Sequence, residues 1–139
     1  MEQKGKTADE WFRDGVQLTK EMDIEGAFNC CEKVIELEPD YRRADFWLWR
    51  AGLLYDIGTF EEAIYRTIVG EKKPSREISD FFGSYKKRYE EALRSFDKSL
   101  EIDPNSVETW EAKAHLLLYL KRDEEAIECL EHVRDLRKR

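Results

Sequence analysis

YEEALRSFDKSLEIDPN, residues 89–105, is the stretch whose reading decides the fold. Tyr89, Ala92, Leu93, Phe96 and Leu100 recur at three- and four-residue steps, so one stripe of a helix is apolar and the charged residues fill the rest. Pro104 stops that helix, since proline has no amide hydrogen and its ring pushes the preceding residue away from helical backbone. Three other stretches share the layout: IEGAFNCCEKVIELEPD at 24–40, FEEAIYRTIV at 60–69 and DEEAIECLEHVRDL at 123–136. Each carries a small residue at the matching place, Ala27, Ala63, Ala92 or Ala126, followed by large apolar residues at helical spacing.

A second helix type precedes three of these stretches. ADEWFRDGVQL (8–18), ADFWLWRAGLL (44–54) and VETWEAKAHLL (107–117) share Trp11, Trp47 and Trp110. A small residue follows four positions later (Gly15, Ala51, Ala114) and a leucine three after that (Leu18, Leu54, Leu117). The indole fills the gap between helices and the small residue admits a neighbouring backbone. Thr7 with Glu10, Thr59 with Glu62, and Asn105 with Glu108 have the spacing of capping boxes at helix starts.

The recurring order of Trp, Gly or Ala, Leu, Ala, large apolar residue and Pro resembles the tetratricopeptide repeat family, a helix–turn–helix unit of about 34 residues. The resemblance covers nearly the whole chain after residue 7. It implies an all-α, antiparallel helix–turn–helix array forming a short solenoid, in which each unit contacts its neighbours. The expected organisation is a tail at residues 1–7 and a repeat domain at 8–139, with repeats near 8–41, 44–72, 75–106 and 107–139. The third is degenerate. The four alanines are spaced by 36, 29 and 34 residues, so the gap between Ala63 and Ala92 is short. Apolar residues at 78, 81, 82, 85, 89, 92, 93, 96 and 100 keep an unbroken helical rhythm across that gap. Residues 75–102 are therefore expected to form one helix about 40 Å long, the rival being two helices with a cramped turn at Gly83–Ser84 or at 86–88. A lost turn would favour a domain-swapped homodimer with its two-fold axis near residues 81–89.

The chain has 139 residues, 41% apolar and 40% charged, with only seven glycines and three prolines, a composition of a helix-rich globular domain rather than a disordered one. The net charge of −7 opposes general affinity for nucleic acid or anionic membrane. MEQKGKTADE has no apolar stretch that could act as a secretion signal, and LLLYL (116–120) is far too short to span a bilayer. Cys30, Cys31 and Cys129 contain no CxxC pair and read as reduced thiols of a cytoplasmic protein.

Catalytic signatures are absent: no phosphate-binding glycine loop follows a strand, and there is no GxSxG or HExxH. Cys129 and His132 lie one helical turn apart, which suits a buried thiol beside an exposed imidazole better than a metal site. The expectation is a non-enzymatic protein–protein interaction module with no cofactor and no metal. In the family, the first helices of successive repeats line a concave groove that takes an extended peptide or a helix. Carried across, the groove residues are Phe12, Val16, Trp49, Tyr55, His115 and Tyr119, with Trp49, two residues from Trp47, pointing to a different face. Aromatics exposed in a concave patch are typical binding hot spots. The Lys and Asn residues with which chaperone-binding members clamp a terminal carboxylate are replaced here by Phe12, Val16 and Trp49, which excludes that subgroup. The expected partner is a protein or peptide, with a homodimer as a further possibility. The alternative is a nucleic-acid adaptor using the basic aromatic segment 72–88, with Lys72, Lys86, Lys87 and Arg88 beside Phe81, Phe82 and Tyr85. Helical spacing favours a packing face with a basic rim there, and makes nucleic acid the weaker reading.

Overall fold

The structure, a computed structural model, describes residues 5–70, 73 and 75–139, with the side chains of Phe81 and Phe82 outside the description. The parts of the sequence reading that rest on residues 1–4, on Lys72, or on those two rings lie outside the described residues. The described residues form seven helices in order: α1 Ala8–Lys20, α2 Ile24–Leu37, α3 Ala44–Val69, α4 Arg76–Phe82, α5 Tyr85–Ile102, α6 Val107–Tyr119 and α7 Asp123–Arg137. Among the described residues there is no strand. The fold is an all-α helical array.

Local chemistry accounts for the outer pairs. At α1 the Thr7 hydroxyl accepts from the Glu10 amide at 3.2 Å, and the Glu10 carboxylate accepts from the Thr7 amide, completing the expected capping box. At α6 the cap is Ser106 rather than Asn105: its hydroxyl accepts from the Thr109 amide, while the Asn105 amide donates to Asp103. The α1–α2 and α6–α7 turns are the same device. Met22 and Lys121 both take φ 64°, and the next amide reaches back to close the helix, Asp23 to the Leu18 carbonyl at 2.9 Å and Arg122 to the Leu117 carbonyl at 2.8 Å.

The middle of the chain departs from expectation in two linked ways. The predicted single helix over 75–102 is interrupted: α4 ends at Phe82, and Gly83–Ser84 turns before α5 begins. A Cβ at Gly83 would lie 2.3 Å from the Ser79 carbonyl oxygen, so no other residue fits that bend. The fused element is instead α3, whose 26 residues span about 39 Å and run straight through the predicted turn near Thr59. Thr59 caps nothing, since its hydroxyl donates to the Asp56 carbonyl within the helix.

Packing explains the continuity. Gly58 follows Trp47 by eleven residues, as Met22 follows Trp11 and Lys121 follows Trp110, so it holds the turn position. Glycine enters the left-handed region more readily than either counterpart, yet Gly58 is helical and buried. The Tyr89 ring fills the space where a side chain would be, 2.8 Å from a Cβ placed there. Tertiary contact overrides the local preference.

α5 therefore becomes the antiparallel partner of α3. The Ser99 hydroxyl donates to the Ala44 carbonyl at one end, Arg50 donates to the Ser95 hydroxyl in the middle, and the Ser84 hydroxyl donates to Glu61 towards the other end. The Trp-to-Ala spacing records the change: 16 residues from Trp11 to Ala27 and from Trp110 to Ala126, but 45 from Trp47 to Ala92. Ala63 also lies 16 residues after Trp47 and so imitates the second helix of a repeat. Burial tells them apart, because Ala27, Ala92 and Ala126 are fully buried and Ala63 is exposed. The predicted repeats at 44–72 and 75–106 are thus replaced by one pair, α3 with α5, with 29 more residues between tryptophan and alanine than in the outer pairs and the second half of α3 running on as a helical arm. This pair closes within one chain, which removes the steric premise of the domain-swapped dimer.

Two apolar clusters hold the array. Phe12, Ala27, Cys31, Val34, Tyr41, Phe46, Trp47 and Leu53 join α1–α2 to the first half of α3. Ala51, Leu54, Tyr89, Ala92, Phe96, Leu117 and Ala126 join α3 and α5 to α6–α7.

Candidate binding groove

The groove residues come from α1, α3 and α6, and the structure treats them unequally. Phe12 is core: it is 5% exposed, its ring meets Tyr41, Phe46 and Trp49, and the Arg43 guanidinium covers its outer side. Trp49 is half-buried at the junction of α1 and α3, its indole nitrogen donating to the Thr19 hydroxyl at 3.0 Å. Its ring lies over Gly15, where a Cβ would come within 2.5 Å. Trp49 and Phe12 join two helix pairs, so the expectation that they stand exposed is corrected. Val16 is half-buried and lines a surface cleft with Arg13, Gln17, Arg43 and Asp45. His115 is exposed, Tyr55 half-buried, and Tyr119 44% exposed.

Gly52 lies on α3 between Trp49 and Tyr55 in the same row. It is exposed, and a Cβ built on it would meet nothing within 4 Å. The other α3 glycine is accounted for by Tyr89 and the α1 glycine by Trp49. Among the described residues Gly52 has no close neighbour that requires a glycine.

Next to this row Glu62, expected to cap a helix with Thr59, is instead a buried carboxylate inside α3. Glu62 is 6% exposed and accepts the Tyr89 hydroxyl at 2.7 Å, the Tyr119 hydroxyl, and two guanidinium donors of Arg66 at 2.9 and 2.6 Å. Burial acts to raise its pKa, but the hydrogen bonds from Tyr119, Tyr89 and Arg66 prevail and hold it below the usual carboxylate value. The Tyr89 phenol moves up, through burial first and Glu62 next. Tyr55 packs against both Tyr89 and Tyr119. The cluster ties the arm of α3 to the end of α6. Its only signal in the sequence is the tyrosines themselves, since nothing marks Glu62 as buried until its phase on α3 is known.

Other sequence candidates are not assembled into sites. His132 stacks on Trp110 with ring centroids 4.1 Å apart and planes 9° apart, while Cys129 is buried. Burial pushes the Cys31 thiol up to about 12. Among the described residues no group of three or more His, Cys, Asp or Glu could hold a metal ion, and no helix is long and apolar enough to cross a membrane. In the basic segment Tyr85 is buried against Tyr65 and Tyr89, and Arg88 pairs with Glu61 at 3.3 Å. Tyr85 is therefore unavailable to stack on bases.

Paired antiparallel helices, Trp-and-small-residue first helices and Ala-centred second helices define a helical-repeat solenoid. The tetratricopeptide repeat model matches residues 85–138, and the chain belongs to that family. It is 35% identical over 75 residues to the uncharacterized protein MJ0572 of Methanocaldococcus jannaschii, a match spanning 52% of this chain and 85% of that one. Two crystal structures of MamA superpose with TM-scores of 0.56 at 13% identity, each covering 95% of this chain. The chain spans only 59% and 55% of those two proteins, and the likeness is one of fold.

Proposed function

We propose that the protein is a non-catalytic interaction scaffold that takes an extended peptide or helix of a partner protein along the α1–α3–α6 face. Gly52 carries this reading. A glycine inside a helix costs about 1 kcal/mol relative to alanine, and here no neighbouring group of the protein needs the space. A glycine kept where nothing internal requires it suits a partner backbone approaching closely. Val16, Tyr55, His115 and Tyr119 would extend the contact surface along α1, α3 and α6, with Phe12 and Trp49 supporting it from the α1–α3 junction. The family's use of this face supports the assignment.

The test is affinity capture from extracts of the source cell with wild type beside Gly52→Leu. A Cβ at this position meets nothing within 4 Å among the described residues and leucine favours the helix, so the melting temperature should hold or rise. Captured proteins should be lost. Capture of the same proteins in the same amounts by both forms overturns the proposal.

A further inference from the structure

We propose that the outer face of the α3 arm is a self-association seam, on which a second copy of this chain lays the same face antiparallel across a two-fold axis near Ala63. This inference is independent of the α1–α3–α6 groove.

One row of α3 packs on α1–α2. Phe46, Trp49 and Leu53 on that row pack in the first apolar cluster. Continued at helical steps, the row passes through Ile57, Phe60, Ile64 and Ile68. Phe60 is 68% exposed and Ile68 50%, with Ile57 and Ile64 half-buried. An interface used by the protein thus runs on past the helices that occupy it.

The exposed part also has the composition of a packing face. Ile57, Phe60, Ala63, Ile64, Thr67 and Ile68 include no charged residue, in a chain that is 40% charged. Steps of three, four and three from Ile57 to Thr67 make a helix-pairing seam. Small Ala63 and Thr67 alternate with large Phe60, Ile64 and Ile68, so knobs of one helix face hollows of an identical antiparallel one. FEEAI also carries the Ala-centred signature that is buried in α2, α5 and α7, yet among the described residues its Phe60 and Ala63 stand exposed. An apolar row that matches itself about a two-fold axis closes as a dimer and leaves no open end. Three helical turns bury little area, so the dimer is expected in the micromolar range rather than as an obligate assembly.

Light scattering of the full chain should give a two-chain mass at about 100 μM, falling to one chain on dilution below about 1 μM. Phe60→Glu should weaken association at least about tenfold without altering the melting temperature, because Phe60 is exposed. Ala63→Cys should form an intermolecular disulfide under mild oxidation, whereas Met22→Cys, on the exposed α1–α2 turn, should not. The native thiols do not interfere, since Cys30, Cys31 and Cys129 are buried and burial raises their pKa values. A one-chain mass at about 500 μM overturns the seam. So does a dimer that survives Phe60→Glu, or one in which Ala63→Cys fails to cross-link.

Discussion

FEEAI at residues 60–64 and YEEAL at 89–93 are nearly the same pentapeptide in two facing helices, and they are buried on opposite sides. In α5 the aromatic, alanine and aliphatic positions point inward: Tyr89 is 2% exposed, Ala92 0% and Leu93 6%. In α3 the matching Phe60 is 68% exposed and Ala63 is also exposed, while Glu62 is 6% exposed. The cause is phase. A repeat normally resets its helix phase at the turn, so the second helix can bury its alanine whatever the first did. α3 has no turn, and its inward row descends from Trp47 through Ala51, Leu54 and Gly58 to Glu62. A carboxylate arrives inside because the residues four turns earlier put it there. Tyr89, Tyr119 and Arg66 then supply the donors that make its burial tolerable.

The largest expected effect separates the two aromatics. Tyr89→Ala leaves a cavity between α3 and α5, removes a donor from Glu62, and should cost about 3–5 kcal/mol. Phe60→Ala should stay within about 0.5 kcal/mol. Urea unfolding of both variants checks this, and equal losses would place the arm face in the core.

Next comes the carboxylate itself. Glu62→Gln leaves hydrogen-bond donors facing a neutral amide and should cost about 2–3 kcal/mol at pH 7. Glu91→Gln, at the matching place of α5, should cost less than about 1 kcal/mol. The acid dependence has a definite sign. Glu62 is held below the ordinary 4.5, so its contribution is present above that value and is lost as pH falls through the folded-state pKa. Wild type and Glu62→Gln should therefore draw together in stability as the pH falls below 4.5. A gap that does not narrow on acidification would mean that the charge of Glu62 is not what stabilises the cluster.

A smaller contrast tests the two alanines. Ala92→Leu forces extra methylenes into a filled space and should cost about 1–3 kcal/mol, whereas Ala63→Leu should be close to neutral.

The sequence carried the helix type, the outer pairs and the family, because those follow from residue spacing within one helix pair. The middle was misread for a specific reason. Ala63 lies at the correct distance from Trp47, and Gly58 with Thr59 looks like a turn followed by a cap. The fact that decides against this reading is the Tyr89 ring seated on Gly58, a contact between residues 31 apart that no local pattern records. The exposure of the residues proposed for the groove was half legible for a related reason. His115 and Tyr119 stand at the surface as expected, but the burial of Phe12 and Trp49 depends on Gly15, Thr19 and Tyr41 closing over them. The burial of Glu62 was illegible until the phase of α3 was known.

The smallest effects are expected at the three positions that follow each tryptophan by eleven residues. Met22 and Lys121 hold φ 64°, a conformation that crowds a Cβ against its own backbone. Replacing either with glycine relieves that crowding but adds freedom to the unfolded chain, and the net should be a gain of about 0.5 kcal/mol. For a chain of this length, that raises the melting temperature by about 1–2 °C. Gly58→Ala should move the other way. The helix gains nearly 1 kcal/mol in propensity, but the new methyl group meets a Tyr89 ring that is buried and held by Glu62, and the arm must shift to admit it. Thermal melts of the three variants compare the turn that forms with the turn that does not. If Gly58→Ala proved as stabilising as the two glycine substitutions, Tyr89 would not be what keeps α3 straight.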